Sequence, residues 1–242
     1  HNADFLPAVN KLSVGGYDGK GVQLLKIPAD LDKAFDADGI LEKFVDFEKE
    51  LAVIVARNRR GETVCFPAVE MVFHPVANLV EYQFSPADVT LEIGQKTEEI
   101  AKKTAKAFGI TGLLAVEMFV ASSGEVLVNE LAPRPHNSFH TTMVGAATSQ
   151  FEQHVRAICD LPLGSTQIVR PAAIANLLGD LWVGERTPDF DRVLALPGVR
   201  LHLYGKRVAR PGRKMGHLSA TADSAETAIE LVQRATALLE RG

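Results

Sequence analysis

Residues 113–131 read LLAVEMFVASSGEVLVNEL, two apolar runs on either side of Ala-Ser-Ser-Gly. β-Branched and aromatic residues suit a pleated surface and a Ser-Gly pair marks a tight turn, so the stretch predicts an antiparallel hairpin. Its register depends on the turn. A two-residue turn at Ser123 and Gly124, or a four-residue one from Ser122 to Glu125, sets Glu117 opposite Glu130. A three-residue turn sets Glu117 opposite Asn129 and leaves two unrelated acids. In the first register the two carboxylates stand about 5 Å apart at Cβ. At an effective dielectric near 20 they repel by roughly 3 kcal/mol. The apolar flanks limit relief by solvent. A hard divalent cation removes the conflict, and Mg²⁺ commonly takes one or two protein carboxylates together with phosphate oxygens. Glu117 and Glu130 are therefore candidate metal ligands.

The chain continues through residues 129–140 as NELAPRPHNSFH. Pro133 and Pro135 exclude a helix interior or a central strand, so the segment is a rigid loop crowded with polar groups. Arg134, His136 and Asn137 suit a small anion, and a loop pre-set by proline loses little entropy when one binds. His140 has no such assignment.

Around this centre the pattern is mixed. FLPAVNKL (5–12) and GILEKFV (39–45) read as strands, and residues 50–69 as a hairpin with its turn near 59–62. Residues 96–109 read as a helix capped by Thr97 and closed by Gly109, with Ile100, Thr104, Ala105 and Phe108 inward. A second helix starts near Ser149 with Phe151, Val155 and Ile158 inward. PAAIANLLG, VRLHLYGK and MGHLSATA are short strands, and a last helix from about Ser224 turns Ile229, Val232 and Leu239 to one side. Strands and helices mix without βαβ alternation, which makes the fold class α+β. A soft boundary falls near 163–167.

Composition narrows the function classes. With 46% hydrophobic and 23% charged residues the chain can bury a core and is not a disordered segment. A net charge of −4 gives no reason to expect nucleic acid. Cys65 and Cys159 fit neither a disulfide framework nor a zinc motif, which points to free thiols in a reducing compartment. The start HNADFLPAV has no signal-peptide pattern and no apolar run reaches membrane length, so a soluble cytoplasmic protein without a membrane partner is expected.

Two further segments carry polar chemistry. GGYDGKG (15–21) lacks the spacing of a P-loop, yet its glycines leave backbone N–H groups open to a phosphate; a plain turn is the alternative. Residues 200–217 hold Arg200, Lys206, Arg207, Arg210, Arg213 and Lys214 without an acid. That suits a phosphate or carboxylate, or else a solvated basic face.

GGYDGKG, VNELAPRPHNSFH and RPGRKMGH occur in the order found in the N5-carboxyaminoimidazole ribonucleotide synthetases, which are ATP-grasp carboxylases. The chain resembles that family from about Leu6 to its final helix. The resemblance implies an ATP-grasp fold in which residues 1–44 are a remnant of the lid, 45–164 the central domain with the Mg²⁺-ATP site, and 165–242 a small C-terminal domain. By position, it makes Lys11 the lid lysine on the ATP phosphates, Glu42 and Val45 the adenine hinge, and Glu50 the ribose ligand. Glu117 and Glu130 match the Mg²⁺ ligands, and Arg134, His136 and Asn137 lie near bicarbonate. Tyr17, Asp18 and Lys20 match the loop over the aminoimidazole ribonucleotide, and Lys206 and Arg213 the clamp on its phosphate. The implied partners are ATP, bicarbonate and 5-aminoimidazole ribonucleotide, with a homodimer as the complete assembly.

The chain departs from the family at three points. The family carries an αβ domain before the strand near Leu6, so a fragment is expected. Phe139 stands where relatives often have a small residue. The 206–213 segment is about one residue longer than in some relatives, which blurs the assignment of Lys206. The competing readings are another ATP-grasp ligase, such as a formate-dependent glycinamide ribonucleotide transformylase, and a truncated module that binds nucleotide without turnover.

Overall fold

The computed structural model describes residues 5–15, 21–73, 80–183 and 188–240. They fall into two compact units, residues 1–46 with 75–79, and residues 47–74 with 80–242. In the first unit, β1 (Ala8–Leu12) lies between β2 (Val22–Leu25) and β3 (Gly39–Lys43) in an antiparallel sheet.

The second unit is built on one sheet. It comprises β4 (Phe47–Arg57), β5 (Thr63–Cys65), β6 (Val69–Phe73), β7 (Val80–Ser85), β8 (Gly112–Ala121), β9 (Val126–Ala132), β10 (Ala172–Leu178), β11 (Val199–Leu203) and β12 (Lys214–Thr221). Their order is β11-β12-β10-β7-β6-β4-β8-β9, with β5 paired to β4. Among the described residues five α-helices accompany them: α1 (Leu91–Ala107), α2 (Thr142–Gly145), α3 (Gln150–Ile158), α4 (Phe190–Leu194) and α5 (Ala225–Glu240). The position between 164 and 165 lies between α3 and β10, and β10 pairs with β7, so one sheet includes strands from both sides of it.

Side-chain alternation along β4 divides the sheet into two faces. Leu51, Val53 and Val55 pack with Ala101 and Ala105 of α1, and with Val116 and Met118 of β8. Ala52, Ile54 and Ala56 point the other way, to Phe66, Leu113 and Phe139. Farther along, α5 sets Ala228, Val232, Ala235 and Leu239 against Ala173 and Ala175 of β10 and Leu218 of β12. The polar site described below lies on the face that α1 does not cover.

Two helices differ from expectation. α1 begins earlier than expected, capped by Thr90, which accepts the Ile93 N–H at 3.3 Å. Thr97 is inside the helix and fully buried, its hydroxyl donating to the Gly94 carbonyl at 2.7 Å. A threonine that bonds back one turn has the same composition as a cap, so sequence alone cannot separate the two. Phe108 is 67% exposed; the inner face is made of the smaller Thr97, Ala101 and Ala105.

α3 is capped by Ser149 as expected, but its inner face differs from the one its apolar residues suggested. Phe151, Val155 and Ile158 are about half exposed, while Gln150 and Gln153 are fully buried. Gln153 shows why. Its Nε2 donates to the Gly164 carbonyl at 2.9 Å and its Oε1 accepts the Gly164 N–H at 2.8 Å. A buried glutamine can thus satisfy both backbone groups of a loop residue, which an apolar side chain cannot do.

Candidate active site

The hairpin of β8 and β9 is closed by three residues. The Gly124 N–H donates to the Ala121 carbonyl at 2.8 Å, the Ala121 N–H donates to Glu125 at 2.9 Å, and Gly124 takes φ +77°. A three-residue loop ending in a left-handed glycine is a common hairpin turn. It is also the turn that would set Glu117 opposite Asn129, and the first rungs follow it: Val120 with Val126, Phe119 with Leu127, Met118 with Val128. Then the register shifts, and Glu117 pairs with Glu130, Val116 with Leu131 and Ala115 with Ala132. Asn129 is the extra residue of a β-bulge. The two acids face each other because of that bulge, not because of a two- or four-residue turn.

Three groups gather around Glu117. Across the ladder it faces Ala52 of β4, and Glu50 lies two residues along on the same side of that strand. Glu50 is buried and accepts from Asn129 Nδ2 at 3.4 Å, so the bulge residue ties the ribose-ligand candidate to the metal-ligand hairpin. His136 Nε2 stands 3.2 Å from Glu117 Oε1. Burial, with the positive charges of Arg134, Lys214 and His140 nearby, pushes the His136 imidazole down to about 4. It is neutral near pH 7, and the carboxylate selects the tautomer with the proton on Nε2. Nδ1 then accepts from Ser138 Oγ at 3.1 Å. Ser138 Oγ also lies 3.1 Å from Met71 Sδ, a weaker acceptor, so its proton goes to the imidazole.

The loop after β9 runs into a 3-10 turn over Asn137–Thr141. Phe139, fully buried at a ring distance of 6.1 Å from Phe66, anchors it in the core. Asn137 joins two strands and the residue that follows β11: its Oδ1 accepts from Gln83 of β7 at 2.9 Å, and its Nδ2 donates to Asn176 Oδ1 of β10 at 2.9 Å and to Tyr204 Oη at 3.4 Å. Its amide is thus engaged by the protein, which makes it a strut of the loop as well as a neighbour of the candidate anion site. Tyr204 Oη lies 3.0 Å from His217 Nδ1, and the His217 ring stacks on His140 at 4.7 Å and on His202 at 5.1 Å. Burial is the main cause that pushes His140 down to about 4 and His217 down to about 3.

The basic segment meets this array through Tyr204. Lys206 Nζ lies 5.5 Å over the Tyr204 ring and donates to the Lys214 carbonyl at 2.6 Å. Arg213 turns its guanidinium to the Val208 carbonyl at 2.7 Å. Its turn is seated on Gly179 and Asp180. The Gly179 N–H donates to the Arg213 carbonyl at 2.8 Å, and Asp180 Oδ2 accepts the Gly212 N–H at 2.7 Å. A Cβ on Gly179 would collide with the backbone of Arg210. Arg134 is exposed and donates to the Pro135 carbonyl at 3.1 Å.

The remaining candidates are placed differently. Lys11 and Glu42 belong to the first unit and form an ion pair of 2.6 Å with each other, and Val45 is half-buried in the same unit. Tyr17, Asp18 and Lys20 lie outside the described residues. Gln83, Gln150, Asn176, Tyr204 and His217 were not singled out from sequence. Only His217 had a signal, as the last residue of RPGRKMGH; the others look like ordinary polar positions of strands and helices.

Among the described residues no three or more His, Cys, Asp or Glu side chains converge as a protein-only metal cage. Two facing carboxylates do fit Mg²⁺, because that ion usually completes its octahedron with water and phosphate oxygens. Glu117 and Glu130 are the residues that would hold it.

Comparison with known proteins adds the following. Residues 4–151 match the ATP-grasp domain family, and residues 172–231 match the phosphoribosylaminoimidazole carboxylase C-terminal domain. The chain is 45% identical over 219 residues to the N5-carboxyaminoimidazole ribonucleotide synthase of Bacillus subtilis, covering 88% of this chain and 56% of that protein. The crystal structure of an N5-carboxyaminoimidazole ribonucleotide synthetase in complex with ADP superposes with a TM-score of 0.88 at 44% identity, over 98% of this chain and 62% of that one. The Aspergillus clavatus enzyme in complex with ADP and 5-aminoimidazole ribonucleotide superposes with a TM-score of 0.83 at 33% identity, over 98% and 63%. The chain therefore spans between one half and two thirds of the length of these relatives.

Proposed function

The chain belongs to the ATP-grasp family, and from that premise we propose that it forms the ATP- and bicarbonate-handling part of an N5-carboxyaminoimidazole ribonucleotide synthetase. The observation that carries this reading is the facing pair Glu117–Glu130 with the His136 loop laid against it. The overall reaction joins bicarbonate to the 5-amino group of the ribonucleotide at the expense of ATP. Bicarbonate is a poor electrophile. One of its oxygens attacks the γ-phosphorus and ADP leaves, giving carboxyphosphate; the amine nitrogen then attacks the carboxyl carbon and phosphate leaves. The departing phosphate is basic enough to take the amine proton.

Phosphoryl transfer of this kind asks the protein for position and charge neutralisation. Mg²⁺ bound at Glu117 and Glu130 supplies positive charge to the phosphate oxygens. Arg134 holds the bicarbonate beside His136, whose Nε2–H is given to Glu117, and Asn137 fixes the loop that carries them. Lys206 and Arg213 hold the ribonucleotide's phosphate. Glu50 binds the ATP ribose, Lys11 its phosphates, and Glu42 and Val45 its adenine. Tyr17, Asp18 and Lys20 contact the ribonucleotide. A closed site protects carboxyphosphate from water.

The test is phosphate release from ATP by the longer protein. It should require both bicarbonate and 5-aminoimidazole ribonucleotide, and formate should not replace bicarbonate. Equal release without the ribonucleotide, or activity with formate and another amine, overturns the proposal. The same reading makes the complete protein a cytoplasmic homodimer. The half-exposed stripe Phe151, Val155 and Ile158 on α3 is apolar surface for such an association, and light scattering of the complete protein measures it.

A further inference from the structure

The His136 loop is held at its most important residue by a side chain from another element. Gln150, the first residue of α3, is fully buried. Its Oε1 accepts the His136 N–H at 2.8 Å and its Nε2 donates to the His136 carbonyl at 2.9 Å. The second Nε2 hydrogen faces His140 Nδ1 at 3.1 Å. This pattern leaves no choice in the amide orientation, since a flip would set oxygen against oxygen and N–H against N–H. Gln150 is itself fixed from behind, its N–H donating to Thr142 Oγ1 at 2.9 Å, and that hydroxyl donating to the Phe139 carbonyl at 2.6 Å. Helix and loop are thus bolted together at both ends of the 136–142 segment.

We propose that Gln150 is a positioning residue: by pairing both backbone groups of His136 it fixes the peptide that aims the imidazole Nε2 at Glu117. The functional part of this inference rests on the proposed reaction; the positional part does not. Proline restricts φ of Pro135 but leaves the next residue free to rotate, and His136 has no strand neighbour to hold it. The glutamine takes the place of that neighbour. Its second Nε2 hydrogen also sets the tautomer of His140, leaving that ring's proton on Nε2.

Gln150→Ala takes away the partner of the His136 N–H and of His140 Nδ1, while the His136 carbonyl keeps the Phe139 N–H, and it is open to the objection that it does not fold. Gln150→Glu keeps the size and the acceptor for the His136 N–H, but sets a carboxylate oxygen against the His136 carbonyl. Imidazole ¹⁵N–¹H correlation spectra of this 242-residue chain read the outcome directly. In the wild type His136 should show a single neutral Nε2–H signal. In Gln150→Glu, with the circular dichroism spectrum unchanged, that signal should split, shift or vanish by exchange. An unchanged His136 signal in the folded variant overturns the proposal. In the longer protein the same variant should lower kcat at least about tenfold, as loss of alignment does, with little change in KM for ATP. A disturbed signal with undiminished kcat supports the positioning and overturns the assignment of His136 to the reaction.

Discussion

Glu130 stands opposite Glu117 only because Asn129 is inserted between Val128 and Glu130 as a bulge. One residue corrects a register that the turn had set the other way. It also donates its side-chain amide to Glu50, so the same residue ties a third carboxylate to the pair. β-Bulges often serve to re-aim side chains in this manner.

Glu130→Gln should weaken Mg²⁺-ATP binding at least about tenfold, the lower range for disturbing a metal site, while leaving the fold intact. Removing one of two facing like charges should also raise the metal-free stability, by no more than about 1 kcal/mol since Glu130 is exposed. Calorimetric titration with and without Mg²⁺ reads the first effect and urea melts the second. Unchanged Mg²⁺ dependence would refute the assignment.

Phe139→Ala should cost about 3–5 kcal/mol, the usual loss for a fully buried phenylalanine. The ring packs beside Phe66 and is the apolar anchor of the loop that carries Arg134, His136 and Asn137. Urea denaturation measures the loss; a cost below about 1 kcal/mol would mean that the ring is not in the core.

Gly179→Ala should disturb the turn of Gly212 and Arg213 at a cost of about 1–3 kcal/mol, as for other overpacked sites, because its Cβ has no room beside Arg210. Phosphate affinity at Lys206 and Arg213 should fall with it. Isothermal titration with the ribonucleotide, compared with ATP as the control ligand, separates a local effect from general unfolding.

Acid should destabilise the protein through its histidine stack. His140 and His217 are held at about 4 and about 3, below the ordinary 6.5, first by burial and then by neighbouring cationic groups. A depressed folded pKa means that the unfolded chain binds the proton first. Their contribution is complete above pH 6.5 and is lost as the pH falls from there toward 4 and 3. Each group adds a slope of up to about 1.4 kcal/mol per pH unit within its window. His217→Gln should flatten the dependence between pH 6 and pH 4 by about one such slope, and urea midpoints at a series of pH values test it.

Much of the fold could be read from local pattern. The β8–β9 hairpin, the strands β10 to β12 and the Ser149 cap all follow from period and turn chemistry, which are properties of neighbouring residues. The pattern failed where side chains exchange roles with the backbone. Thr97 looked like a cap and is a buried threonine bonded back to Gly94. Phe151, Val155 and Ile158 looked like the inner face of α3, while Gln150 and Gln153 occupy it because they complete the hydrogen bonding of His136 and Gly164.

By itself the sequence determined the kind of chemistry: two carboxylates, a proline-set loop with arginine, histidine and asparagine, and a basic segment, each legible because residue type and spacing are local facts. What only the tertiary structure decided was alignment. The Asn129 side chain on Glu50, the Gln150 clamp on His136 and the Gln83–Asn137–Asn176 chain join residues 14 to 79 positions apart. Such partners are chosen by the need to satisfy every buried polar group at once, a condition that exists only after the chain has closed around them.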